Sequence, residues 1–439
     1  MKKKLLILLL ILLPIPFVAS AMYPACQTFY SGTTVGFGNT SSSLMFINLI
    51  SNFGAGTKAS VGKGVSTVTG GTFKNLRLYD QGDPPGGTAS WNAMLIVGQN
   101  ASTSLNCTIT GSTNSCTDTT DTVATSSPGS EVAFLITPSG SPGGAANYFF
   151  ASVDFCPNTY DLFSLPYGGS YSAITFSYGA LMAKGNPAAT LNVADQSVVP
   201  ETGKISQLWG ALVTEGSGTN SIVFSIMDNG ATTTLATTSA STLPNPIADA
   251  TTTINVNSGD LLNMTIWNPS ASGGQAGTQY AVGWIPSIPG DFFESAGGVS
   301  PTVLRETYQT PMGSGGNTIV EASTSVPTTN MLIRTTTVTL SGAPGTGHSW
   351  TYGWRDNGAT TTSSCTIANT ATSCTMPSVT ISDNGPIDIF VLPSTSAPSG
   401  GDPSIGWIGN QLSYPAATQS KYNVWQGFVR IMGGFLRLK

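Results

Sequence analysis

Apolar and polar residues follow one another along this chain in short runs, without helical spacing. Ile222-Val223-Phe224-Ser225-Ile226-Met227 and Ile387-Asp388-Ile389-Phe390-Val391-Leu392 are brief, rich in β-branched and aromatic residues, and bounded by Gly, Pro, Asn or Ser. No long stretch sustains a period of 3.6 residues. Asp228-Asn229-Gly230 and Asp356-Asn357-Gly358 predict tight hairpin turns, because Asn and Gly adopt positive φ at little cost. Strands at roughly 8–12-residue spacing predict an all-β chain of sandwich or jelly-roll type.

One succession of landmarks recurs three times. It reads Pro85-Gly86-Gly87, Ser90-Trp91, a strand to Val97, Asn100, Cys107, Pro128-Gly129, Val132 to Ile136 and Pro138-Ser139. The second copy reads Gly216-Ser217-Gly218, Ile222 to Met227, Asn229, Thr237, Ser258-Gly259-Asp260, Leu261 to Trp267 and Pro269-Ser270. The third reads Pro344-Gly345-Thr346-Gly347, Ser349-Trp350, Asn357, Cys365, Asn384-Gly385, Ile387 to Leu392 and Pro393-Ser394. Asn229 lies 129 residues after Asn100, and Asn357 lies 128 after Asn229. Gly283-Trp284-Ile285 and Gly406-Trp407-Ile408 are expected to close the second and third copies, as Ser152 to Phe155 closes the first. The chain thus divides into three tandem β-sandwich modules over 22–160, 161–288 and 289–439. The third ends in an aromatic, basic tail (Trp425, Phe428, Arg430, Phe435, Arg437, Lys439), read as a hairpin about Gly433-Gly434 or as a docking tail.

The N-terminus adds a compartment. Lys2, Lys3 and Lys4 precede nine apolar residues, Leu5 to Leu13, then Pro14, Pro16 and Ala19-Ser20-Ala21. That order reads as a signal peptide over 1–21, cleaved after Ala21, with an uncleaved anchor as the alternative. Its removal takes three of the 16 basic residues and leaves 13 against 21 acidic ones, a net of −8. No basic patch could hold nucleic acid. Charged residues are only 8% of the chain, against roughly 25% in average proteins, and Ser, Thr, Gly and Asn solvate it instead. Such a surface titrates little and is expected to tolerate acid.

Six cysteines in an exported chain predict disulfides. Cys107 and Cys116 enclose eight residues, as do Cys365 and Cys374 in the third copy, and two antiparallel strands would bring each pair face to face. Cys26 and Cys156 remain and bracket the first module. Loop entropy gives each short staple roughly 2.7 kcal/mol and the long one roughly 5 as upper bounds. Zinc wants closer spacing and usually His, so no metal or other cofactor is expected.

Catalytic candidates are thin. His348, the one histidine, stands beside Ser349 with no nucleophile elbow near it, and Ala89 and Asn220 hold the corresponding loops. Low charge, export and a β-sandwich are similar to the secreted glutamic peptidases, which use a Glu and a Gln. Candidates are Glu131, Glu201, Glu215, Glu294, Glu306 and Glu321 with Gln207 or Gln309, none in a matching motif. Asp80, Asp83, Asp118 and Asp121 could cradle Ca²⁺ by spacing, but read better as solvated turn acids. Sequons stand at Asn39, Asn100, Asn106 and Asn263. Trp350 and Trp354 are the candidate ligand-contact aromatics, Trp354 being the best candidate for an exposed ring; strand alternation puts both on one face.

The stretch from Pro344-Gly345-Thr346-Gly347-His348-Ser349-Trp350 through Asp356-Asn357-Gly358 resembles a repeat of uncharacterised exported and phage-associated proteins. There a PGxGxSW strand leads to an NG turn, a Thr-rich hairpin with paired Cys, a GD turn and a PSxSP loop. The resemblance implies a jelly-roll-like sandwich in an extracellular, structural or adhesive setting, and brings no catalytic residues. The expected function is a secreted or cell-surface structural or adhesive protein without enzymatic activity, with an envelope surface, a glycan or its own copies as partner. No membrane span is expected after signal removal. A virion fibre or decoration protein, and a carbohydrate-binding protein or acid-stable hydrolase, are the alternatives.

Overall fold

The computed structural model describes residues 26–32, 45–48, 65–66, 70–80, 84–97, 102–125, 131–142, 149–158, 161–168, 177–181, 191, 193, 196–212, 222–239, 247–267, 278–288, 290–298, 305–309, 311–315, 326–328, 330–382, 386–394, 398–399 and 401–412. The leader at 1–21 and the tail at 422–439 lie outside them.

The chain is all-β. Among the described residues, 29 strands form six sheets in three consecutive pairs. The first pair holds β1 (Gln27–Gly32), β2 (Met45–Asn48), β3 (Val65–Ser66), β4 (Gly71–Asp80), β5 (Ser90–Val97), β6 (Ser102–Thr110), β7 (Ser115–Thr125), β8 (Glu131–Ser139) and β9 (Phe149–Pro157). The second holds β10 (Asp161–Gly168), β11 (Ser177–Ala180), β12 (Ser197–Val198), β13 (Gly203–Leu212), β14 (Ile222–Asp228), β15 (Ala231–Ser239), β16 (Ile247–Val256), β17 (Leu261–Trp267) and β18 (Thr278–Pro286). The third holds β19 (Phe292–Gly298), β20 (Thr307–Gln309), β21 (Gly313–Gly315), β22 (Val326–Pro327), β23 (Met331–Leu340), β24 (Gly345–Asp356), β25 (Ala359–Asn369), β26 (Ser373–Met376), β27 (Val379–Ile381), β28 (Pro386–Pro393) and β29 (Pro403–Gln411).

Strand order repeats in each pair. The first sheets run β1-β9-β4-β7, β10-β18-β13-β16 and β21-β19-β29-β23-β26; the second sheets run β2-β8-β5-β6, β11-β17-β14-β15 and β20-β28-β24-β25. Counting eight principal strands per pair, this is order 1-8-3-6 over 2-7-4-5, the double Greek key of a jelly roll. A short extra strand (β3, β12, β22) joins strand seven each time. Sheet partners change between Pro157 and Asp161 and between Pro286 and Phe292. Among the described residues every ladder is antiparallel except β19 with β21.

Local chemistry explains the turns. Asn229 and Gly230 (φ 50° and 80°) and Asn357 and Gly358 (φ 52° and 74°) close the β14–β15 and β24–β25 hairpins in the left-handed region. Rings cross the sheets to build the core. Trp91 of β5 meets Phe149 of β9 edge-on at 5.0 Å, and Trp354 of β24 meets Trp407 of β29 at 5.3 Å. Gly203 leaves room for the Trp284 ring, which occupies the place of a Cβ, as Gly71 does for Phe155.

One landmark is displaced. Trp284 pairs with Ile205, ahead of the bulge in β13, whereas Trp407 pairs with Thr336, beyond the bulge in β23. The two Gly-Trp-Ile triplets are therefore not register-equivalent. A shift of two keeps each ring on the same face, so hydrophobic pattern alone cannot detect it.

The disulfides pair Cys26–Cys156, Cys107–Cys116 and Cys365–Cys374. The short staples are not cross-strand pairs within one ladder, as antiparallel pairing of their own strands would require. Cys107 on β6 lies opposite Ala93 and Cys116 on β7 opposite Leu78, in two different sheets; Cys365 and Cys374 likewise face Tyr352 and Val338. Each closes the open side of a sandwich, because the chain crosses between sheets there. In the second pair the same register positions hold Thr237 and Ile247. The double substitution Thr237→Cys/Ile247→Cys is expected to add a third short staple, the fourth disulfide, and raise the melting temperature by a few degrees, an increase abolished by reductant. A linked peptide without that rise would count against the equivalence.

Candidate functional site

The candidate ligand aromatics are core residues. Trp350 is 2% exposed and Trp354 fully buried, its Nε1 donating to Thr336 Oγ1 at 2.9 Å. Neither ring offers a face to a surface ligand, which corrects the expectation. β24 lies between β28 and β25, and alternation turns Trp350, Tyr352 and Trp354 together towards the facing sheet. The spacing Trp-x-Tyr-x-Trp carried that signal.

The acid candidates are dispersed. Glu306 is paired with Arg355 at 3.3 Å. Glu201 accepts from Ser287 at 2.8 Å and stands 3.9 Å from Arg334. Glu131 opens β8, Gln207 is a left-handed bulge residue (φ 58°) and Gln309 is buried on β20. His348 lies half-buried near the start of β24. Glu215, Glu321 and Asp83 fall outside the described residues.

Asp118 serves the backbone. It accepts from the amides of Asn106, Thr120 and Asp121 and from the Thr120 hydroxyl, at 3.0–3.1 Å. Partial burial alone would raise its pKa, but these bonds outweigh it and hold the carboxyl below the usual range. Asp249 in the second pair repeats the arrangement with Thr251 and Thr252, and its pKa is lowered in the same way. Among the described residues no group of three His, Cys, Asp or Glu gathers as a metal site. Of the sequons, Asn263 is fully buried, and the Asn106 side-chain amide donates to Ser104 O at 2.7 Å.

Polar chemistry gathers instead where the sheet pairs meet. Each short extra strand lies on the first sheet of another pair: β3 against β10 and β18, β12 against β19, β23 and β29, β22 against β1, β4 and β9. The three contacts run head to tail and close a circle.

At the second-to-third junction, the Val198 amide donates to Ser404 Oγ at 3.1 Å, and that hydroxyl donates to Gln196 O at 2.7 Å. The Ser197 and Ser295 hydroxyls share a bond at 2.7 Å. Gly406 lies directly under the Val198 carbonyl, where any Cβ would overlap the oxygen. Arg334 bonds Asp291 and reaches towards Glu201. Burial nevertheless dominates at Asp291 and raises its carboxyl pKa, against the lowering pull of Asn410 and Arg334.

At the third-to-first junction, Tyr30 and Thr328 share a hydrogen bond at 2.7 Å, and Gln411 Nε2 donates to Thr28 Oγ1 at 2.9 Å. Thr28 in turn donates to Asp154 Oδ1 at 2.7 Å; Asn75 donates to Oδ2 at 2.7 Å; Arg77 stands 3.6 Å away. Glu294 is fully buried beside Gln27 and Tyr30; neither of its oxygens has a well-aligned hydrogen-bond partner, and the Gln27 side-chain amide is the polar group nearest to serving as one. Sequence reading included Glu294 only among dispersed acids and missed Gln27, Tyr30 and Asp154. The available signal was the third residue of each opening strand, Phe29, Phe163 and Glu294.

No family model matches this chain, and no curated protein matches it.

Proposed function

We propose that the mature chain is an exported, non-enzymatic structural or adhesive protein of the cell envelope or surface, built from three copies of one jelly-roll module. The observation that carries this reading is the circular packing of three like sheet pairs. Flexibly tethered modules would leave such faces bare; these bury Tyr30, Ser197 and Ser295 between them. A compact three-part block presents a fixed array of outer faces, as a scaffold or multivalent adhesin requires. Three disulfides suit an oxidising compartment. The reading also holds that Cys-free packing suffices for the middle module.

The test is expression from the full coding sequence, followed by fractionation and N-terminal sequencing. A surface or secreted protein beginning at Met22, without free thiols, is the expected result. Cytoplasmic retention with reduced cysteines would overturn the proposal. The jelly-roll strand order supports a second reading, a virion decoration protein, since that order also builds capsid domains. Recovery of the protein in purified particles would select it.

A further inference from the structure

The opening strands of the three pairs correspond position by position. Phe29 in β1 stands opposite Val153, Phe163 in β10 opposite Val282, and Glu294 in β19 opposite Trp407. Phe29 is a fully buried core residue. Glu294 is buried to the same degree, on the ladder face that carries the Trp407 ring. A carboxylate thus occupies an apolar position of the repeat, at the place where the third pair meets the first.

Its surroundings favour the neutral acid. Burial drives its pKa well above the ordinary glutamate range, against the lowering pull of the Gln27 side-chain amide. The Tyr30 phenol, raised first by its own burial, is raised further by Glu294. The other charged groups about the junction are already matched. From the first pair come Asp154 and Arg77, which pair with each other, and Lys74, which responds to Asp154. From the third, Asp291 and Arg334 pair with each other at the neighbouring second-to-third junction. β22 and β29 bring Thr328 and Gln411 to the junction and carry no charged side chain. Ionisation of Glu294 would therefore place a bare negative charge between Tyr30, Gln27 and Trp407.

We infer that Glu294 is a proton-operated latch on the third-to-first junction, tight while the carboxyl is neutral and loosened when it ionises. The direction follows from linkage. A carboxyl with a raised pKa in the folded state lends stability that is complete below the ordinary glutamate pKa and is lost as pH rises through the folded value. The circle is then a closed block in acid and opens at its one seam between the ends of the described chain at higher pH. Surface hydroxyls solvate the exterior without titrating; Asp291, also raised by burial but held by Arg334 and Asn410, places a smaller response of the same sign at the second-to-third junction.

Hydrogen exchange on the intact, oxidised chain reads this directly. Between about pH 4 and about pH 9, corrected for the intrinsic rate, peptides over β1, β22 and β29 are expected to lose protection about tenfold or more. Peptides over β14 and β15 should not follow. Glu294→Gln, which stays neutral, is expected to hold the seam protected throughout. Glu294→Leu should do the same if the amide variant folds poorly. An unchanged pH response in both variants would assign the effect to another group and overturn the latch. So would a wild-type seam indifferent to pH, or a loss of protection spread evenly over all three pairs.

Discussion

Asp154→Ala is expected to cost about 3–5 kcal/mol, because it removes the acid partner of a buried cation. Asp154 is fully buried and Arg77 is 4% exposed. Without the carboxylate, the Arg77 guanidinium keeps its bond to Asn75 O at 3.0 Å, but its Nε already lacks a partner. Thr28 and Asn75 lose their acceptor as well. The loss is expected to travel to the third-to-first junction, since Thr28 is the residue that receives the Gln411 amide. Urea denaturation measures the total. Asp154→Asn, which keeps an acceptor but no charge, should fall between wild type and alanine. A midpoint for Asp154→Ala within error of wild type would mean that the buried pair contributes little beyond its volume.

Gly406→Val should open the second-to-third junction, at a cost of about 3 kcal/mol. The obstruction is backbone on backbone. The Val198 carbonyl presses on Gly406 while the Val198 amide is held by Ser404, so β12 cannot slide aside without breaking that bond. The added β-branched side chain suits a strand, and intrinsic propensity would predict a gain. The two expectations have opposite signs, which makes the measurement decisive. Ser404→Ala is the milder companion, removing the hydroxyl that links Val198 to Gln196, at a cost of about 1–2 kcal/mol. Calorimetry and exchange at β12 should move together. A more stable Gly406→Val would show that the contact at β12 is not tight in solution.

Both substitutions break something well matched, whereas Glu294→Gln relieves something poorly matched. The first two should destabilise at neutral pH and the third should stabilise. The pattern separates junction residues that hold the pairs together from the one that regulates them.

Much of the architecture was legible along the chain. Short β-branched runs and Asn-Gly turns announce strands and hairpins, because side-chain period and positive φ are local properties. A repeat period near 128 residues marks three like segments. Even cysteine spacing identified the pairs that bond. Reading stopped where distant segments decide the outcome. Whether Cys107 and Cys116 share a ladder or bridge two sheets depends on where the chain crosses the sandwich. Whether Trp354 meets solvent or Trp407 depends on the sheet that faces it. The displaced Gly-Trp-Ile shows that equal words need not occupy equal register, since a slip of two preserves the buried face. Glu294 in a polar-rich sequence looks like any surface acid. Only tertiary packing, which seals that position with residues from β1 and β29, turns it into a buried carboxyl whose charge the fold must accommodate.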